Sequence, residues 1–318
     1  MRSFIYKLLL FSLPIVVLLL PLDYFLSSLY RKAHSCEGEL EVLNDIYNGK
    51  AKCNFAIYGS SRAFVHIDPK VVKDSLNVTA YNFGNDGHNF WLQYMRHLDF
   101  IKFNAQPKTI LYAVDVFTLQ KRKDLYNLNQ FLPFMLWNNT IREYASSYEG
   151  FKTFDFLIPL VRYAGKGDVL KEAITIFLNK DHTPQCRQRG YRAIDRVWSD
   201  ELEKAKSKNE KYEAVLDTPS IKLFEQFIQE CKQSHINLIL VYTPEYIEGQ
   251  KYISNRKEIV ERYIAISQKN NLLFYNYSSD SMVYNKSLFY NSMHLNRAGS
   301  QMFSKKLVHD LKLNGGFD

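Results

Sequence analysis

The chain has 318 residues, 46% apolar and 15% aromatic, with 22 Tyr and 22 Phe but only 13 Gly and 9 Pro. This composition excludes disordered, collagen-like and low-complexity classes, and the length allows one large domain with a sizeable core. The net charge of +8 is scattered in short groups such as Lys121, Arg122 and Lys123, with no basic helix or aromatic-interleaved stripe, so no nucleic-acid partner is expected.

At the N-terminus, Arg2 and Lys7 precede an apolar run from Leu8 to Leu22, and the next charge is Asp23. As a helix, those roughly 15 residues rise about 22 Å, short of the about 30 Å hydrocarbon core of a bilayer. Phe4 to Tyr6 with Lys7 snorkelling, or Tyr24 to Tyr30, would make up the length. Residues 1–32 therefore read as a signal anchor with its juxtamembrane stretch. A cleaved signal peptide is the rival reading, since the basic n-region and apolar h-region suit both. No small-x-small cleavage site follows, which favours the anchor. Arg31 and Lys32 lie close behind the span, so the positive-inside count leans only slightly towards a single-pass protein with its main domain outside the cytoplasm. If the segment is cleaved, an exported soluble form is expected instead.

Cys36 and Cys53 form a local pair suited to an oxidising compartment, whereas Cys186 and Cys231 read as buried thiols unless the fold joins them. None of the four has zinc-site or Cys-x-x-Cys spacing. No metal and no cofactor is expected. His182 and Cys186, or Asp68, Asp86 and Asp115, lack decisive ligand spacing.

Residues 33–318 alternate short apolar runs with amphipathic segments. Phe55 to Tyr58, Val78 to Asn82, Thr109 to Val114, Asn237 to Tyr242 and Leu272 to Tyr277 read as parallel strands buried on both faces, each ending in a polar turn. Helical patterns over Phe90 to Phe103, Ser220 to Gln233, Asn255 to Lys269 and Asn296 to Leu313 separate most of them. The pattern predicts an α/β fold with a doubly wound parallel sheet and ligands at its carboxyl edge. The stretch at about 117–217 is too long for a connection and reads as a helical insertion, with helix candidates at Leu125 to Leu136, Thr140 to Ser147 and Asp168 to Leu178. The charge-dense Glu201 to Glu213 reads as a solvated helix.

The strand ends carry the chemistry. Gly59 permits a tight turn, and Ser60 and Ser61 place hydroxyls where a strand meets a helix, as a nucleophile requires; turning and capping alone would also account for them. A nucleophilic serine needs a base, and His294, on a loop ahead of an amphipathic helix, is the best placed histidine. His34, His182, His235 and His309 read as caps or surface residues, His88 sits beside the proposed pocket, and His66 and His97 are less well placed.

Gly59-Ser60-Ser61-Arg62, the Asn82-to-Gly87 turn, the strand ending at Asp115 and the His294-to-Gly299 segment together resemble the ordered blocks of the SGNH or GDSL-like hydrolase superfamily. With the N-terminal anchor, they look most similar to membrane-associated members that modify cell-envelope polysaccharides or teichoic acids. The resemblance implies a flavodoxin-like three-layer sandwich. It further implies Ser61 as acyl-accepting nucleophile, the Ser61 and Gly87 amides as oxyanion donors, and His294 as base.

Two positions depart from the family pattern. Asp115 stands where an oxyanion Asn is usual, so it must be protonated, turned away or used to orient Arg62. Asn291 stands where the triad Asp is usual; it can hold the imidazole tautomer but supplies no charge, so Asn291→Asp is expected to strengthen His294 as a base.

The leading expectation is an extracytoplasmic serine esterase or O-acyltransferase acting on an acylated envelope glycan, acetyl being the simplest acyl group. The alternative is a catalytically weak glycan-binding or assembly subunit that guides polymer to a multispanning acyltransferase, using Tyr and Phe to stack on sugars. A nucleotide-binding domain is a poorer reading, because Gly59-Ser60-Ser61 lacks the phosphate-loop lysine.

Overall fold

The structure is a computed structural model and describes residues 2–33, 39–178, 186–208 and 211–313. His34, Cys36 and His182 lie outside the described residues. The chain divides into two compact units, Met1–Asn44 with Lys123–Cys186, and Asp45–Arg122 with Arg187–Asp318. The stretch read as one insertion at 117–217 is therefore split. Its central part groups with the N-terminal helix, and residues 187–217 belong with the sheet.

The sheet unit holds β1 (Phe55–Gly59), β2 (Ala80–Asn82), β3 (Thr109–Val114), β4 (Asn237–Tyr242) and β5 (Leu273–Asn276). All pairings are parallel and the order is β2-β1-β3-β4-β5. The winding reverses between β1 and β3, so the crevice at their carboxyl ends is the place where such a sheet binds ligands.

Alternation along β1, β3 and β4 explains why both faces of the central sheet are covered; the edge strand β5, read from sequence as buried on both faces, is instead partly exposed. Phe55 and Ile57 of β1, Leu111 and Ala113 of β3, and Ile239 and Val241 of β4 join one core with Phe303, Leu307 and Leu311 of the helix Arg297–Leu313. The intervening residues face the opposite side. There Tyr58 and Tyr112 meet Phe90 and Phe227, from the helices Phe90–Phe103 and Thr218–Gln233. The buried hydroxyls on that side are satisfied: Tyr58 pairs with His97 Nδ1 at 2.9 Å and Tyr112 donates to Gln93 Oε1.

In the N-terminal unit, one continuous helix spans Arg2–Tyr30. Leu10–Tyr30 has a mean hydropathy of 2.0, and its best window is only 12% buried. This is one long apolar helix that suits an anchor or a signal sequence. Its final turns are nevertheless packed within the unit: Asp23, Ser27, Leu29 and Tyr30 are buried. Arg162 clamps the Asp23 carboxylate with two bonds of 2.6 and 2.7 Å, and the Leu160 amide adds a third of 2.6 Å.

Helices Asn139–Ala145 and Gly167–Phe177 lie within two residues of the sequence candidates Thr140 to Ser147 and Asp168 to Leu178. The candidate over Leu125 to Leu136 is corrected to a short 3₁₀ turn, Leu128–Phe131. Asn127, with φ +49°, bars helix from one side, and Pro133 lacks the N–H to continue it on the other.

The cysteine reading is also corrected. Cys53 is a free thiol buried just ahead of β1, so a Cys36–Cys53 bridge is not formed, and Cys231 is likewise free and buried. Burial pushes both thiols up to about 12. Cys186, read as a thiol, is disulfide-bonded.

Candidate active site

β1 delivers the nucleophile candidate through a turn that only glycine fits. Gly59 has φ +139°, and a Cβ there would meet the Ala113 carbonyl oxygen of β3 at 2.6 Å. Ser60 then caps the helix Ser61–His66, its Oγ accepting from the Arg62 amide at 3.3 Å and donating to Asp115 Oδ2. Ser61 is therefore the first residue of a helix pinned to the ends of both β1 and β3.

Arg62 fixes the same helix from below. Its Nε donates to Thr243 Oγ1 at 3.0 Å and its NH1 group to Glu245 Oε1 at 2.6 Å, while the guanidinium lies 4.7 Å from the Tyr242 ring centroid. The second Glu245 oxygen accepts from Tyr242 Oη at 2.9 Å and Arg256 Nε at 3.0 Å. Arg62 and Glu245 are 1% and 2% exposed; removing one partner of such a buried pair costs roughly 3–5 kcal/mol. Arg62 is thus a structural cation, held by Glu245 rather than by Asp115.

His294 arrives on a loop closed by the Phe289–Leu295 bridge and by the Tyr290 amide donating to the His294 carbonyl at 3.0 Å. Its Nε2 lies 2.8 Å from Ser61 Oγ. Asn291 Oδ1 accepts from the Met293 amide at 3.0 Å, the His294 amide at 2.9 Å and His294 Nδ1 at 3.0 Å. Two backbone N–H groups cannot both face an NH₂ group, so the Asn291 oxygen must be the atom that faces them. Nδ1 then carries the proton, and the Nε2 lone pair points at Ser61. Tyr290 stacks on the imidazole, with centroids 5.4 Å apart and planes 8° from parallel.

Burial, and secondly the Arg62 guanidinium, lower the His294 pKa to about 3. Both causes act against imidazolium. The imidazole is therefore neutral and able to accept a proton at neutral pH, but among the described residues no carboxylate contacts the ring to stabilise the charged form.

Beyond Asn291 lies Glu201, whose Oε2 accepts from Asn291 Nδ2 at 3.2 Å. This changes the expectation for Asn291→Asp, because the new carboxylate would confront Glu201.

Ser61, Gly87, Asp115 and His294 all line one cavity of about 360 Å³, and Asn89 and Phe117 complete part of its wall. Asp115 is the acceptor for Ser60 Oγ, for the Phe117 amide at 2.8 Å and for Thr118 Oγ1 at 3.1 Å. An acceptor so occupied organises the turn after β3 and cannot serve as an oxyanion donor. Gly87 adopts φ +70°. A second cavity of about 220 Å³ shares Phe117, Tyr212 and Met293 with the first.

Three residues of this constellation were not singled out from sequence. His66, set aside there as weakly placed, accepts from the Leu295 amide at 3.0 Å through Nε2 and pairs with Thr243 Oγ1 at 2.9 Å through Nδ1. It therefore braces the base loop against the nucleophile helix. Asn89 stands at the start of Phe90–Phe103 without capping it; its Nδ2 donates to the Phe117 carbonyl at 2.6 Å, and its Oδ1 has no partner. Glu201 lay within a stretch that reads as a solvated helix, and no local pattern marks it as facing Asn291.

No protein-family model and no curated protein matches the chain. Among solved structures, it is similar to a protein of Desulfitobacterium hafniense provisionally described as lipolytic and of the G-D-S-L family, at 13% identity and a TM-score of 0.40, over 80% of this chain and 98% of that one. It is also similar to a protein of Bacteroides fragilis provisionally described as an acylhydrolase, at 11% identity and a TM-score of 0.35, over 82% of this chain and 86% of that one.

Proposed function

We propose that the protein is a serine-dependent esterase or O-acyltransferase of SGNH-like type, working outside the cytoplasm on an acylated cell-envelope glycan. The observation that carries this reading is the 2.8 Å approach of Ser61 Oγ to His294 Nε2, with the other ring nitrogen held at 3.0 Å by Asn291. His294 takes the Ser61 proton as Oγ attacks the ester carbonyl. The tetrahedral oxyanion is received by the Ser61 and Gly87 amides, with the second Asn89 Nδ2 hydrogen replacing the donor that Asp115 cannot supply. Collapse breaks the ester C–O bond, and the departing alcohol takes the proton from His294. Water or a sugar hydroxyl then attacks acyl-Ser61 with the same base assistance. The N-terminal helix and the disulfide at Cys186 support an oxidising compartment.

Incubation with p-nitrophenyl acetate tests this reading. A burst of p-nitrophenol and an acetylated Ser61 peptide are expected, and Ser61→Ala should abolish both.

The uncharged Asn291 and the occupied Asp115 favour a second reading, a glycan-binding subunit that presents polymer to a multispanning acyltransferase. Polymer binding without burst or acetylation would select it.

A further inference from the structure

The helix Gly167–Phe177 is apolar on two faces. Val169 and Ala173 are buried, whereas Leu170, Ile174, Phe177 and the adjoining Leu178 are exposed. The exposed set falls at i, i+4, i+7 and i+8, a complete helical stripe of the kind that normally packs on something. Phe25 of the N-terminal helix meets Phe177 edge-on at 5.8 Å, so the stripe begins beside that helix. In the same unit, the short helix Thr153–Leu157 exposes Phe154 and Leu157, and Ile158 follows it outward. The Leu160 amide, two residues further, is bonded to Asp23. Both apolar groups therefore lie within one unit at the level where the apolar run of the N-terminal helix ends.

We propose that this face of the N-terminal unit beds into the interfacial layer of the bilayer that the N-terminal helix crosses, making the unit a membrane-seated platform. The proposal rests on the anchor reading of that helix. Two observations select lipid as the occupant. The face is continuous with the membrane helix, and the run Leu8 to Leu22 rises only about 22 Å against a hydrocarbon core of about 30 Å. A span that short draws its flanking structure towards the lipid. Asp23 tolerates that position because its carboxylate is buried and accepts from Arg162, Leu160 and Ser27, leaving little of it to solvate. Exposed Lys152 and Lys171 border the face as cations suited to anionic headgroups.

The test uses the full chain reconstituted in phosphatidylcholine–phosphatidylglycerol vesicles, with an environment-sensitive fluorophore on Leu157→Cys or Ile174→Cys. Lys257→Cys, 89% exposed in the sheet unit, is the aqueous control. The buried thiols of Cys53 and Cys231 should not compete for label. Labels at 157 and 174 should brighten several-fold in vesicles and be quenched by a lipid-borne quencher, whereas the label at 257 should not respond. Labels as wet as the control on a chain that floats with the vesicles would overturn the proposal and leave the anchor intact. Emission that rises with protein density but ignores the quencher would show a second copy as the occupant, which also overturns it. A chain that fails to float would remove the anchor reading and the proposal together.

Discussion

Each unit is organised around a buried arginine–carboxylate pair, yet the two pairs serve different ends. In the sheet unit, Arg62 and Glu245 lie beneath Ser61 and connect through Thr243 to His66 and the base loop. In the N-terminal unit, Arg162 and Asp23 fasten the last turns of an apolar helix, and no serine–histidine pair accompanies them among the described residues. Apolar side chains mark a second difference. In the sheet unit Tyr58, Tyr112, Phe90 and Phe227 pack between sheet and helices, whereas the N-terminal unit leaves Leu170, Ile174 and Phe177 exposed along one helical stripe. A buried ion pair is thus a fastening device whose meaning depends on what it fastens.

The largest effects should separate chemistry from attachment. Ser61→Ala and His294→Ala should each lower Ser61-dependent ester turnover by about 10³-fold or more with little change in the unfolding transition. Equal turnover in the substituted and native proteins would sever the pair from function.

Arg162→Met leaves Asp23 buried and unpaired, so it should destabilise the N-terminal unit by about 3–5 kcal/mol, read by denaturant unfolding, with turnover of a soluble ester retained. Arg62→Met should cost stability and turnover together, because it loosens the helix that carries Ser61. If the two variants behave alike, the contrast between the pairs fails.

Acid should act on the sheet unit through its buried neutral histidines. Burial lowers the His97 pKa to about 4, and burial, Arg62 and His294 hold His66 well below 6.5. The unfolded chain binds these protons first, so the stability they represent is present above pH 6.5 and lost as pH falls towards the folded values. For His97 alone, the slope is about 1.4 kcal/mol per pH unit. Denaturation midpoints measured from pH 7 to pH 4 check it, and His97→Gln should flatten the curve. With His294 lowered to about 3, its own acid limb in kcat/KM should lie well below 6.5.

The smallest effect concerns Asn291. Asn291→Asp alone should give little gain, because Glu201 faces the new carboxylate. Asn291→Asp with Glu201→Gln should raise kcat/KM by about tenfold, roughly 1.4 kcal/mol, and move the acid limb upward. A full gain from the single substitution would show that Glu201 has no electrostatic hold on this position.

Much of this was legible in the sequence, because strands buried on both faces are written as continuous apolar runs with turn residues behind them. The helix Phe90–Phe103 and the β3 and β4 boundaries follow directly from that pattern. Ser61 and His294 were legible because each lies at a strand-to-helix or loop-to-helix junction. His66 and Glu201 were not, since their partners lie 229 and 90 residues away and neither breaks the local pattern around it. Asp115 could be flagged but not oriented, because its role depends on where Ser60 and Thr118 place their hydroxyls.

The most direct measurement is trapping with a serine-reactive phosphonate, followed by mapping of the modified peptide. The native protein should acquire one adduct on Ser61, with labelling abolished in Ser61→Ala and strongly slowed in His294→Ala. An unlabelled native protein of intact fold, or labelling indifferent to either substitution, would contradict a Ser61–His294 active site.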